Sequence, residues 1–145
     1  MKIVKTVAQK TKVLIIGNKE ILLPAHIQSK MEIGDYTVIC LNDPYPYDFQ
    51  NQDQEYFKVQ WELTSGIWCF DYEGTLIWKM PAVHPKDHPV YEGKDTSLYC
   101  EGPYYVGFHY DEDKDEIVGQ TDHGNRVRVK LRTGELVYMS GGCKM

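Results

Sequence analysis

The chain has 145 residues, of which 42% are hydrophobic, 12% aromatic and 26% charged. That suits one domain with its own core, spanning residues 1–145, and excludes a mainly disordered chain. Lys and Arg number 16 against 21 Asp and Glu, and the net charge of −5 argues against broad binding to nucleic acid or anionic membranes.

The first ten residues carry lysines at positions 2, 5 and 10, so no apolar signal segment forms, and no later run approaches the roughly 20 apolar residues that span a bilayer. A cytoplasmic protein is expected. Cys40, Cys69, Cys100 and Cys143 contain no Cys-x-x-Cys pair, which leaves zinc ribbons and redox motifs unsupported. Cys40 and Cys69 sit in apolar runs, where free cysteine behaves as a small hydrophobe.

In chain order, the first hairpin pairs Lys12–Ile16 with Glu20–Leu23 and turns at Gly17-Asn18-Lys19, because Gly and Asn tolerate the positive φ of tight turns. Tyr36–Leu41 is a strand. Asn42–Gln54, with two prolines and several Asp, Asn and Gln, is an excursion loop. Glu55–Leu63 alternates apolar residues and reads as a strand, with one short helix as the alternative. Ile67–Tyr72, a turn at Glu73-Gly74 and Thr75–Met80 make a second hairpin. Pro81–Gly102 is a connector. Tyr104–Tyr110 and Glu116–Thr121 pair across the acidic turn Asp111–Asp115. Val127–Leu131, a turn at Thr133-Gly134 and Glu135–Met139 make the last hairpin. The expected fold class is all-β, built of antiparallel, blade-like sheets.

The two clearest hairpins align with a shift of 60 residues, so that Ile67–Trp78 falls on Val127–Tyr138. A shared Gly, the Leu two residues on, a β-branched residue and an aromatic carry the match. Gly provides the left-handed turn position, and the apolar pair and ring dock the outgoing strand on a neighbouring layer. The stretch Ile117–Tyr138 resembles one blade of the quinoprotein-type β-propeller repeat, and Ile67–Trp78 is similar to its Asp-x-x-Gly-x-x-x-Trp version. Arg128 and Lys130 replace the family's small residue and Asp, and Tyr138 replaces its Trp. The resemblance implies two to three blade-like sheets in an incomplete propeller or a sandwich-like arrangement. Blades of about 40 residues are too few here for a closed ring, so no quinone cofactor is expected.

Candidate chemistry is sparse. Asp111, Asp113 and Asp115 fall at calcium-loop positions one, three and five, but Glu116 stands where Gly is needed and Asp122 where a bidentate Glu belongs. That turn reads as a solvated hairpin tip, and no metal site is expected. His84 and His88 lie four apart, but Pro85 and Pro89 forbid the helix that would align them. Cys100, His109 and Asp111 are neighbours only in sequence, which makes a weak thiol triad. No nucleophile elbow, phosphate loop, dinucleotide fingerprint or zinc-protease motif occurs.

Two groups remain as candidate interaction residues. Arg126, Arg128, Lys130 and Arg132 alternate with Val127, Val129 and Leu131, putting four cations on one strand face. They are balanced by Glu116, Asp122 or Glu135, or else form a docking strip for an acidic partner. Tyr45, Tyr47 and Phe49, with Trp61 and Trp68, either expose aromatic surface or cover a sheet edge. The expected function is therefore a non-enzymatic protein-interaction module, monomeric or homodimeric, with a protein partner, no nucleic acid and no membrane. The chain also resembles small bacterial proteins that include toxin-immunity proteins, which implies the same kind of partner. The alternatives are a small-molecule or metal-binding β-protein, or an enzyme whose site is assembled from loops.

Overall fold

Short runs rich in Val, Ile, Tyr and Phe fit a pleated, half-buried surface better than a helix. The structure is a computed structural model and describes residues 2–7, 11–42, 66–80, 105–121 and 126–140. In chain order its strands are β1 (Ile3–Val7), β2 (Val13–Ile16), β3 (Lys19–Leu22), β4 (Ile27–Ile33), β5 (Tyr36–Leu41), β6 (Ile67–Phe70), β7 (Leu76–Lys79), β8 (Tyr105–Asp111), β9 (Glu116–Thr121), β10 (Arg126–Lys130) and β11 (Leu136–Ser140). They form a five-stranded sheet in the order β1-β4-β5-β6-β7, a four-stranded sheet in the order β11-β10-β9-β8, and the separate hairpin β2-β3. Every pairing is antiparallel. Among the described residues the fold is all-β, as the turn and strand signals predict.

The hairpins at β2-β3, β6-β7, β8-β9 and β10-β11 lie where the sequence places them. Two further strands, β1 and β4, are not among the elements read from the sequence. In β4, Ile27, Ser29, Met31 and Ile33 are buried, but lysine and glutamate interrupt the run. An irregularity between Ile27 and Ser29 also turns Ile27 to the opposite face from Met31 and Ile33. Residues 43–54, Glu55–Leu63 and Pro81–Gly102 lie outside the described residues. No helix among the described residues is long and apolar enough to cross a membrane.

The layers follow from which faces are apolar. One face of the five-stranded sheet presents Met31, Ile33, Val38, Cys40, Ile67, Cys69, Trp78 and Met80 to Tyr105, Phe108, Ile117, Val127, Val129 and Leu131. Its other face presents Ile39, Leu41, Trp68 and Phe70 to Leu14, Leu23 and Ala25, with Ile16 and Ile21 packed alongside. The five-stranded sheet is thus the middle layer. Its central strands β5 and β6 are buried on both sides, which explains their unbroken apolar runs. Each fully buried Ile or Val there contributes about 1.5–3 kcal/mol relative to exposure.

The stacking contact is specific. Trp78 lies in the core, and its Nε1–H donates to the Leu131 carbonyl at 2.6 Å. Its ring covers the turn at Gly134, where φ is +72° and an added β-carbon would lie 2.5 Å from Trp78 Cβ and Cγ. The aromatic of one repeat thus docks on the turn of the next. The same relation holds one layer back: Lys19 Cδ and Ile21 Cδ1 lie 2.8 and 3.4 Å from the β-carbon position of Gly74, whose φ is +80°. Ile21 follows Gly17 by four residues, as Trp78 follows Gly74 and Tyr138 follows Gly134.

The register corrects the repeat alignment on its incoming strand. Cys69 pairs with Trp78 and Phe70 with Leu76, while Arg128 pairs with Tyr138 and Val129 with Leu136. Arg128, not Val129, therefore occupies the place of Cys69. The cause is one extra turn residue. Asp71 N bonds Thr75 O in the first hairpin, and Lys130 N bonds Glu135 O in the second. The Asp71 carboxylate holds the tighter turn by accepting from Glu73 N and Thr75 N, both at 2.9 Å.

Replacing Gly134 by Val, which sets a branched side chain against Trp78 at a positive φ, is expected to destabilise the protein by more than about 1 kcal/mol, and Glu135→Gln by almost nothing. Equilibrium urea unfolding of the two variants checks this pair. Burial pushes the Cys40 and Cys69 thiols up to about 12. Keeping them neutral contributes stability that is whole below the ordinary thiol value and is lost as pH rises through the folded one. Iodoacetamide at pH 8 is expected to leave both unmodified in the native protein and to modify both in denaturant, with thermal stability declining from about pH 9 upward. Peptide mass mapping and melting curves read the two outcomes.

Candidate functional site

The outward face of the four-stranded sheet collects the charged side chains. Alternation along β10 turns Val127 and Val129 into the core and leaves Arg126, Arg128 and Lys130 on the other side. Register extends this into rows across the sheet. Asp111, Glu116 and Lys130 form one row, His109, Val118, Arg128 and Tyr138 the next, and Gly107, Gln120 and Arg126 a third.

Two ion-pair groups order this face. Arg128 Nη1 lies 3.0 Å from Asp111 Oδ2 and 3.3 Å from Glu116 Oε1, and Lys130 Nζ lies 3.0 Å from Glu116 Oε2. Glu116 is buried with both carboxylate oxygens engaged. The hydrogen bond from Arg128 holds the Asp111 carboxyl below its ordinary value, and the same bond raises the Arg128 guanidinium. The second group sits at the acidic turn, where Asp115 adopts φ +55°. Its Oδ1 accepts from the Tyr110 hydroxyl at 2.7 Å and its Oδ2 from Arg132 Nε at 3.1 Å. Burial first, and then that hydrogen bond, push Tyr110 up to about 12. The Arg132 guanidinium also lies 5.7 Å from the centre of the Tyr36 ring, so it links the turn to β5.

Of the four cations singled out from sequence, Arg126, Arg128 and Lys130 share the outward face. Arg132 lies beyond β10, in the turn. Glu116 balances the column as one sequence reading has it, with Asp111 and Asp115 as the other carboxylates, and Asp122 lies outside the described residues. Arg126 is exposed and has no carboxylate partner among the described residues. Trp68 is buried beneath β2-β3, with Lys79 Nζ 4.2 Å from the centre of its ring. Tyr45, Tyr47, Phe49, Trp61, His84, His88, Cys100 and His123 fall outside the described residues. His109 is exposed. Among the described residues no group of three or more His, Cys, Asp or Glu is placed to hold a metal ion.

Tyr138 and Val137 are missing from the sequence candidates. Tyr138 is 53% exposed and Val137 45%. Tyr138 stands across from Arg128, in the place that Trp78 fills in the preceding repeat. The repeat itself was the available signal: it gives Tyr138 the docking position, although the docking turn of a further repeat is absent from the described residues. No family model matches the chain, and no curated protein is significantly similar to it.

Arg128→Gln is expected to raise the titration midpoint of the Asp111 carboxyl toward the ordinary value. The parent's Asp111–Arg128 pair contributes stability above that ordinary value, which is lost as pH falls through the depressed one. Carboxyl carbon chemical shifts followed against pH, parent against variant, check the direction. In the same background Asp113→Asn, at an exposed tip, is expected to change stability by less than about 0.5 kcal/mol.

Proposed function

We propose that this chain is a non-enzymatic protein-binding module whose outward face on β8-β11, around Tyr138, Arg126 and Arg128, receives a polypeptide. The observation that carries the reading is the contrast between Trp78 and Tyr138. Both follow a turn glycine by four residues and occupy the same register position. Trp78 is buried against a peptide turn, whereas Tyr138 stands half exposed. A half-exposed ring with a hydroxyl, on the same sheet face as an exposed guanidinium, is the composition typical of interface anchors. The ion pairs of Arg128, Lys130 and Glu116 hold the surroundings in one geometry, so little side-chain entropy is left to lose on binding. The reading carries a cytoplasmic setting, which the free core thiols Cys40 and Cys69 support.

A photoreactive benzophenone amino acid at position 138 is expected to form an adduct of defined mass with a polypeptide in the cells that make this protein. The same group at Tyr72, which is 67% exposed on the β6-β7 turn, is expected to form none. Equal labelling from both positions, or none from 138, would overturn the reading.

A further inference from the structure

The stack uses one device twice and leaves one half of it over at each end. In the device, the fourth residue after a turn glycine presses on the glycine turn of the next hairpin. Ile21 and Lys19 cover the Gly74 turn, and Trp78 covers the Gly134 turn. At one end Tyr138, the third such residue, is exposed. At the other end the Gly17 turn is bare: φ is +59°, and nothing lies within 4 Å of its β-carbon position. The strand face beside that bare turn is apolar. Leu14, Ile16 and Ile21 point into the core, so their neighbours Ile15 and Leu22 point out, 58% and 83% exposed. On the two later hairpins the corresponding faces carry Trp68 and Phe70, and Val127 and Val129, and all four are buried under the preceding layer.

From this we infer that the polypeptide bound by the outward face is a second copy of this chain, docked head to tail, with Tyr138 of one copy on the Gly17 turn of the next. The inference rests on the protein-binding reading above and names its partner. Three observations favour a second copy over an unrelated protein. The free docking residue and the free turn belong to the same series within the chain, so joining them continues an existing stacking relation. The aliphatic pair Ile15 and Leu22 supplies the apolar ground that the faces of β6 and β10 supply inside the fold. Arg126, exposed beside Tyr138, and Glu20, exposed beside Ile15, carry opposite charges. The contact is heterologous, because the surface offered differs from the surface accepted. A two-chain species joined in this way leaves one end of each chain free, and a closed ring or an open stack satisfies both ends of every chain.

The difference between heterologous and self-matched contacts provides the test. Light scattering on the purified parent protein is expected to give at least twice the 16.8 kDa of one chain. Tyr138→Glu removes the offered residue and Leu22→Glu spoils the accepting face, so each variant alone is expected to sediment as a single chain. Mixed in equal amounts, the two are expected to recover a two-chain species, because the intact Tyr138 of one meets the intact Leu22 face of the other. Both positions are exposed, and unchanged melting temperatures and circular dichroism establish that each variant is folded. A parent that stays a single chain at about 100 μM, a Leu22→Glu variant that still associates, or a mixture that recovers nothing overturns the inference. A benzophenone adduct from position 138 to a different polypeptide, with no self-adduct, removes the second copy and keeps the protein-binding reading. No adduct from that position removes both.

Discussion

The indole of Trp78 ties the middle layer to the four-stranded sheet, and much of the remaining geometry hangs from that tie. Its N–H is buried, so without an acceptor it would forfeit about 1–3 kcal/mol. The Leu131 carbonyl is that acceptor. Leu131 is itself held from the other side, where its N–H donates to the Asp115 carbonyl at 3.1 Å. Asp115 is fixed by Tyr110 and Arg132, and Arg132 lies over Tyr36 on β5. The linkage begins in the middle sheet, crosses to the outer sheet and returns. The acidic turn, which in sequence looks like a solvated tip, is one of its members.

The two ends of the stack differ in character for a reason visible at single positions. On β6, Ile67 and Cys69 face the next layer and are buried and apolar. At the matching positions of β10 stand Arg126 and Arg128, and the face they occupy is neutralised mostly from within by Asp111 and Glu116. An internally paired, charged face is held in one shape by its ion pairs. The opposite end carries the aliphatic Ile15 and Leu22 with no comparable ion pairs among the described residues. A chain with two unlike ends has a direction, as repeat proteins with distinct terminal units do.

Much of this architecture was legible in the sequence, and the parts that were not have specific causes. Tyr36–Leu41 is read to its boundaries because both faces are buried, so every residue from Val38 to Leu41 is apolar. β4 escapes because its outward residues are lysine and glutamate and its bulge breaks the alternation halfway. The repeat is detected from Gly, Leu and the aromatic, which fix the outgoing strand, but an extra turn residue shifts the incoming one. That shift decides which of Arg128 and Val129 faces out. The cation column is legible because alternation needs only the strand itself. Of its carboxylate partners Glu116 is legible and Asp111 is not, because Asp111 reaches Arg128 from across an intervening strand, and only the sheet order brings them together. Tyr138 looks like an ordinary core aromatic until the fold shows that nothing described covers it.

The order of strands also says where the chain's entropy is spent. Most pairings join neighbours in sequence: β2 with β3, β4 with β5, β6 with β7, and β8 through β11 in a meander. Such pairs close short loops. The β5-β6 pairing is different, since residues 42–66 lie between its strands. Loop-closure entropy grows slowly with length, by about 0.6 kcal/mol for each doubling, so this join is only modestly dearer than a hairpin. It is also the join with apolar cover on both faces, from Leu14 and Leu23 on one side and Ile117 and Leu131 on the other. The least local pairing of the middle sheet therefore lies where apolar side chains cover both faces.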